Sequence, residues 1–180
     1  MIRAVIYKSA TGSCERYARV MSRMLAIPAY PADRCPLPKG IEVVYVGWIM
    51  GGRVSGLDKA LKNYKVCGVV QVGMSPPGAA MGETCRKNHN LASDIPVFTL
   101  QGGFDMSKLS APLRLIMKKI NRGIVARLET KDALSDAEKA TLEMARNGKG
   151  EPATWDGILE VVDWAVALTE PPEVIKWHEP

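Results

Sequence analysis

The run Ile2-Arg3-Ala4-Val5-Ile6-Tyr7-Lys8-Ser9-Ala10-Thr11-Gly12-Ser13-Cys14 changes from β-forming apolar residues to small polar residues halfway along. Behind it, apolar residues recur at helical spacing: Tyr17, Val20, Met21, Met24 and Leu25. An apolar run that ends in small polar residues and then takes up helical periodicity is typical of a strand, a tight loop and a helix. We therefore predict that order for the start of the chain.

The same alternation continues through the next part of the chain. Extended segments are predicted at 28–33, 42–48, 66–72 and 96–101, with helices at 57–63 and 82–93. The runs at 42–48 and 66–72 are almost entirely apolar, which is typical of strands covered on both faces. Strands that alternate with helices form βαβ units with right-handed crossovers. We therefore predict an α/β fold: a doubly wound, five-stranded parallel sheet with helices on both faces.

After the fifth strand the pattern changes. Residues 110–122 and 135–147 are predicted to be helical, within an insertion at about 107–148. A closing helix is predicted at about 154–168, and a loose tail from Thr169 to Pro180. The 180 residues, 47% of them apolar and 24% charged, have the composition of one ordinary globular domain, so we expect a single domain over 1–180.

Several classes of protein are excluded or disfavoured by composition. No apolar stretch approaches the roughly 20 residues that span a bilayer, and the first apolar run is too short for a signal-peptide core. The four cysteines are scattered without a C-x-x-C pair, and there are only two histidines. A zinc ribbon and a thioredoxin motif are therefore excluded, and we expect reduced thiols and a cytoplasmic protein.

The net charge of +5 comes from one segment. Residues 106–128 contain six bases and no acid, namely Lys108, Arg114, Lys118, Lys119, Arg122 and Arg127. Of the 24 bases in the chain, 24 minus these six leaves 18, against 19 acids elsewhere. Because the basic character is local, we expect no nucleic-acid partner.

The loop after the first strand is the first candidate ligand site, and its residues are Ser9, Ala10, Thr11, Gly12, Ser13 and Cys14. Hydroxyls and backbone N–H groups at a helix N-terminus favour a phosphate. The loop has no lysine, and neither G-x-x-x-x-G-K-[ST] nor G-x-G-x-x-G occurs in the chain, so a monophosphate is favoured over a triphosphate or a dinucleotide. The alternative is that Ser9, Thr11 and Ser13 only cap the helix.

Two further loops should lie at the same edge of the sheet, because ligands of open parallel sheets bind at the carboxyl ends of the strands. The loop after the third strand offers the flat ring of Trp48 beside flexible glycine backbone at Gly51, which suits a planar ligand. The loop after the fourth strand begins at Gly73 and forms the third wall. The alternative is that Trp48 belongs to the core and that the glycines only form a turn.

The pattern Ser9-x-Thr11-Gly12-x-Cys14 resembles the S/T-x-T-G-x-T phosphate loop of flavodoxins. Residues 102–109 and the basic helix after them resemble the flavodoxin-domain branch that includes bacterial menaquinone-linked protoporphyrinogen oxidase. This resemblance implies the strand order 2-1-3-4-5 and one bound FMN. It implies that the phosphate is held by Ser9, Ala10, Thr11, Gly12, Ser13 and Cys14, and that the ring lies between Trp48, Ile49, Met50 and Gly51 on one side and Gly73, Met74, Ser75 and Pro76 on the other.

Two departures from the flavodoxin pattern bear on this expectation. Cys14 stands where the family usually has threonine, and a thiol is a weak hydrogen-bond donor. The chain is basic where flavodoxins are commonly acidic, and Arg53 lies in the third-strand loop. We therefore expect the reduced, anionic flavin to be less disfavoured and its potential to lie above that of an acidic flavodoxin.

The function we expect is electron or hydride transfer between a donor and an unidentified acceptor, which is a redox partner protein or a quinone. The alternatives are a menaquinone-linked protoporphyrinogen dehydrogenase and a flavin-free binding module. No catalytic side chain or metal ligand is expected, and His89 and His178 are predicted to be surface or tail residues. The basic helix predicts either a solvated outer face or peripheral contact with an anionic membrane through Lys108, Arg114, Lys118, Lys119 and Arg122.

Overall fold

The computed structural model describes residues 1–169, without the side chain of Ala79. Residues 170–180, which include most of the predicted tail and His178, lie outside the described residues. The described part is an α/β structure with a mostly parallel central sheet, as the alternation of strands and helices predicts.

The central sheet contains, in chain order, β1 (Ala4–Lys8), β2 (Ala29–Pro31), β3 (Glu42–Met50), β4 (Arg53–Val54), β5 (Lys65–Gly73) and β6 (Val97–Gln101). Five of these strands run parallel in the order β2-β1-β3-β5-β6, which is the expected 2-1-3-4-5 order. The strand β4 is an antiparallel addition that pairs with the end of β3. It was not predicted, because two residues are too few to show a strand periodicity.

The described helices are α1 (Ser13–Leu25), α2 (Leu57–Asn63), α3 (Ala79–His89), α4 (Ala111–Leu128), α5 (Asp136–Asn147) and α6 (Ile158–Val166). One face of the sheet packs against α1 and α6, and the other against α2 and α3. Along β3, Val44 and Val46 join the first core, while Val43 and Tyr45 join the second. Burial on both faces explains the continuous apolar run in this strand.

Helix boundaries differ from the prediction by a few residues. The helix α3 begins at Ala79 rather than 82 and ends at His89 rather than 93. It ends there because Asn90 adopts a left-handed φ of 54° and bonds back to the Arg86 carbonyl. Conversely, α4 continues to Leu128, beyond the predicted end at 122, and α6 is shorter than the predicted 154–168.

The helices α4 and α5 lie between two short strands, β7 (Phe104–Asp105) and β8 (Lys149–Gly150), which pair antiparallel. A capping box begins α5, in which Ser135 and Glu138 each bond the other's backbone N–H. The predicted insertion at 107–148 therefore contains the two predicted helices, and a small sheet that was not predicted closes its base.

All four cysteines are free thiols. Among residues 1–169, no group of three or more His, Cys, Asp and Glu side chains is placed to hold a metal ion. No helix in that range has the length and apolar character that crossing a bilayer requires.

Candidate functional site

A cavity of about 300 Å³ lies at the carboxyl ends of β1, β3, β5 and β6. Most of the predicted site residues line it: Ser9, Ala10, Thr11, Ser13, Cys14, Trp48, Ile49, Met50, Gly51, Gly73, Met74 and Ser75. Gly12 and Pro76 do not line it. The structure thus brings residues from three predicted loops, far apart in the chain, to one cavity.

The loop before α1 is tied to the segment after β6, not to the helix it precedes. Gly12 is the N-cap of α1 with a φ of 110°, and no side chain caps the helix. The Ser13 hydroxyl donates to the Gly103 carbonyl at 2.7 Å, and that of Thr11 lies 3.5 Å from the same oxygen. The alternative that Ser9, Thr11 and Ser13 cap α1 is therefore wrong, and the first-turn amides keep no side-chain partner among the described residues.

The Ser9 hydroxyl has a different role in the same loop. Its oxygen accepts a hydrogen bond from the Gly12 N–H at 3.0 Å, which holds the loop in a tight turn. The positive φ of Gly12 is the conformation that glycine adopts without steric cost. This arrangement leaves the Ser9 O–H as a donor for an anion in the cavity.

Cys14 lies both in the cavity wall and in the core under α1. Burial raises the pKa of its thiol to about 12. The thiol therefore stays protonated at neutral pH, so no negative charge opposes a phosphate there. It remains a weaker donor than the threonine hydroxyl of the flavodoxin pattern.

Lys108 is a residue of this site that the sequence reasoning placed elsewhere. It ends a short 3-10 helix at Met106–Lys108 that begins after Asp105, whose carboxylate accepts from the Ser107 N–H. Its Nζ lies 3.4 Å from the Thr11 carbonyl oxygen, and the same Nζ would lie 3.8 Å from a Cβ built on Gly12. The 9–14 loop, which has no lysine of its own, thus has a cation beside it from far along the chain.

The wall after β3 is a hairpin rather than a loose loop. Ile49 and Met50 belong to β3 and pair with β4, which corrects the prediction that the strand ends at Trp48. Gly51 and Gly52 form the turn with φ of 59° and 74°, and a two-residue turn with two positive φ values suits glycine. Trp48 packs partly on the core under α1 and partly lines the cavity, so both interpretations of its ring hold in part.

The hairpin is fixed from outside the cavity by a buried histidine. The Val54 N–H donates to His89 Nε2 at 2.8 Å, and His89 Nδ1 lies 2.8 Å from Asp58 Oδ1. Because Nε2 accepts, Nδ1 carries the proton and donates to Asp58. The prediction that His89 is a surface residue is therefore wrong: its side chain is fully buried and holds β4.

Arg53 completes this cluster and does not line the cavity. Its guanidinium pairs with Asp58 Oδ2 at 2.7 Å and also donates to the Asn88 carbonyl. Burial acts to raise the pKa of Asp58, but hydrogen bonds from Arg53 and His89 outweigh it and hold the pKa below its usual value. The charge of Arg53 is thus neutralised by Asp58 rather than directed at a ligand.

The wall after β5 is held by its neighbours. The Gly102 N–H donates to the Gly73 carbonyl at 2.8 Å, and Gln101 Nε2 donates to the Met74 carbonyl at 2.9 Å. Thr141 Oγ1, on α5, lies 2.8 Å from the same Met74 oxygen. Gln101 and Thr141 are both buried, so the insertion fixes this wall from behind.

The helix α4 forms an apolar wall that the predicted cofactor-binding residues did not include. Its residues Leu113, Met117, Ile120 and Ile124 line the cavity together with Leu109 and Phe104. Arg114, Lys118, Lys119 and Arg122 are exposed on other sides of the helix. Four of the five residues of the predicted membrane-contact set thus lie on α4, and the fifth, Lys108, lies beside the 9–14 loop.

The cavity combines one polar end with apolar walls. Hydroxyls and amides of 9–14 form the polar end, and Lys108 stands beside it. No acidic, basic or histidine side chain of the described residues lines the cavity itself. The site can therefore bind a ligand with one anionic end and a large apolar body, but it offers no general acid or base.

No protein-family model matches the chain, and no curated protein sequence matches it either.

Proposed function

We propose that the chain is a flavodoxin-like protein that binds FMN and transfers electrons or hydride between a donor and an acceptor. The observation that carries the proposal is the meeting of the 9–14 loop with walls from β3, β5 and α4 around one cavity. The parallel strand order supports it, because β1 and β3, whose connections leave in opposite directions, are neighbours above which ligands of such sheets bind.

The chemistry of the lining fits both parts of FMN. The polar end offers an anion the first-turn amides of α1, the Ser9 hydroxyl and the Lys108 ammonium. The apolar walls, with Trp48 and Met50 on one side and Met74 on another, offer a planar ring dispersion contacts and exclude water from its faces. The volume of about 300 Å³ is at the lower end of ligand pockets, so part of the ring would stay in contact with solvent.

In this proposal the protein positions the cofactor and does no acid–base chemistry. FMN, when bound, supplies the capacity to accept single electrons or hydride. The hairpin held by His89 and the wall held by Gln101 fix the two sides of the ring. Lys108 favours negative charge near the phosphate, which supports a potential above that of acidic flavodoxins, whereas Arg53 is neutralised by Asp58 and contributes little.

An electron carrier is favoured over a porphyrinogen dehydrogenase. A cavity of about 300 Å³ matches the lower end of the range for one drug-sized ligand, so it supports a flavin without a second, porphyrin-sized substrate beside it. The exposed cations and apolar side chains of α4 stand near the cavity, where an acidic redox protein or a quinone at an anionic membrane would approach.

The test is to add FMN to the purified protein, remove free ligand by gel filtration and read the absorbance of the protein peak. We expect a flavin spectrum in the wild type. Leu113→Trp fills the cavity from α4 and should remove it, while the matched variant Leu115→Trp, at an exposed position of the same helix, should retain it. A colourless wild-type peak, or equal retention by the two variants, contradicts the proposal.

A further inference from the structure

A second cavity, of about 840 Å³, lies on the other side of the phosphate loop. Ser9 lines both cavities. The second is formed at the carboxyl ends of β1 and β2, between the first turns of α1 and the outer side of α2. Nothing in the proposed flavin site uses this space.

The lining of this cavity carries an excess of positive charge. Its charged residues are Lys8, Arg19, Arg34, Lys59, Glu15 and Asp33. Arg19 is neutralised by Glu15, to which its Nε and Nη2 donate at 2.9 and 2.7 Å. Within residues 1–169, Lys8, Arg34 and Lys59 form no ion pair. Apart from Glu15, Asp33 is the one acidic residue among those that line this cavity.

The walls that carry these cations are ordered by backbone contacts. The Ala32 N–H donates to the Tyr7 carbonyl at 2.8 Å and the Arg34 N–H to the Pro31 carbonyl at 3.0 Å, so the turn after β2 is fixed to β1. On the opposite side, a Cβ on Gly56 would lie 3.0 Å from Lys8 Cδ. The Lys8 side chain thus lies against the start of α2, and Lys8 and Lys59 line the same cavity.

Two tyrosines add neutral hydrogen-bonding groups to the wall. A hydrogen bond with Cys35 is the main cause that raises the pKa of Tyr64 to about 12, and burial raises the pKa of Tyr7. Both phenols therefore stay uncharged at neutral pH and do not cancel the lysines and arginine. Their rings offer flat faces to a ligand, while the hydroxyl of Tyr64 is hydrogen-bonded to Cys35 and that of Tyr7 to Glu15.

We infer that this second cavity binds a small molecule that carries two or more phosphate or carboxylate groups. Three cations without ion pairs among the described residues line it, one each from β1, the turn after β2 and α2, and a single monoanion would neutralise only one of them. The volume is within the range of small-molecule sites, and its place at the carboxyl ends of parallel strands is where such sites form.

Calorimetric titration with inorganic pyrophosphate and, separately, with citrate tests this inference, at low salt and on flavin-free and FMN-supplemented protein. We expect at least one of the two anions to bind. The variant Lys8→Ala/Arg34→Ala/Lys59→Ala should weaken it by about tenfold or more, whereas Lys118→Ala/Lys119→Ala/Arg122→Ala, which loses the same charge on α4, should stay within about twofold. Binding of pyrophosphate alone assigns a phosphorylated ligand, and binding of citrate alone assigns a polycarboxylate.

Lys108→Ala separates this cavity from the phosphate loop. If the anion binds in the second cavity, this variant should bind it within about twofold of the wild type. The inference would be overturned if the wild type bound neither anion, if the two triple variants lost anion affinity equally, or if Lys108→Ala lost it. If the protein binds no FMN but binds an anion with the expected response to these variants, the proposed function is refuted and the inference about the second cavity stands.

Discussion

The central sheet and the helix α4 are both rich in apolar residues, but they bury them to different extents. Val43, Val44, Tyr45 and Val46 in β3 are all 0% exposed. In α4, Leu115 is 69% and Ile116 49% exposed. Leu113 and Met117 line the cavity and also pack against the small cluster of Phe104, Leu109 and Met144. Packing within the chain thus covers these apolar residues of the sheet, whereas it leaves several of those of α4 exposed to solvent or to the cavity.

The largest effect that should separate the two regions is on stability. Met21→Ala, at a fully buried position of α1, should lower the free energy of unfolding by about 2–5 kcal/mol, since it removes buried methylenes and leaves a cavity. Leu115→Ala in α4 should change it by less than about 0.5 kcal/mol, because that side chain is largely in solvent. Urea unfolding monitored by circular dichroism measures both, and similar losses would contradict the comparison.

A second difference lies in hydrogen bonding within α4. Asn121 is buried, and among the described residues neither of its amide atoms has a hydrogen-bond partner. Replacing a buried, unpaired amide by an apolar group of similar size removes its desolvation cost, so Asn121→Leu should stabilise the fold by about 1–3 kcal/mol. Denaturant midpoints of the variant and the wild type test this, and a destabilised variant would show that the amide has a partner.

A third expected effect concerns cofactor selectivity at the boundary between the two regions. Lys108→Ala should weaken FMN binding by about tenfold and leave riboflavin binding unchanged, because the ammonium acts on the phosphate that riboflavin lacks. Lys118→Ala, which removes an equal charge from the exposed side of α4, is the control. Parallel losses for both flavins would assign Lys108 a structural role instead.

The smallest effect should come from the cluster behind the hairpin. Because the pKa of Asp58 is lowered from 3.8 in the folded chain, the stability it contributes is complete above the unfolded value and is lost as the pH falls through the folded value. Asp58→Asn should therefore be slightly less stable than the wild type at pH 7, and the difference should shrink as the pH falls below 3.8. Thermal melts across this range, with Asp94→Asn as control, would contradict the account if the gap stayed constant.

The sequence predicted the parallel sheet because its signals are local. Each signal, such as the continuous apolar run at 42–48 or the small polar turn at 9–14, is contained within a short stretch of sequence. The expected strand order came from the family resemblance. Ends of elements were predicted less well: β3 continues to Met50 because β4 pairs with it, and that pairing depends on two glycines with positive φ.

The parts of the site that were missed depend on contacts between distant segments. Lys108 meets Thr11, and Gly103 accepts from Ser13, across separations that no local pattern indicates. His89 was assigned to the surface because its partners, Val54 and Asp58, lie on other elements. The acid-free basic segment 106–128, in which Lys108 is the first base, was the one available signal, and it predicted either a solvated outer helix face or contact with an anionic membrane.

A fluorescence titration of FMN with the purified protein tests the central claim most directly. The account predicts that flavin emission is quenched to a saturating value at one FMN per chain, and that Leu113→Trp abolishes the quenching while Leu115→Trp does not. Unchanged emission at protein concentrations well above that of the flavin would contradict it and leave only the α/β architecture.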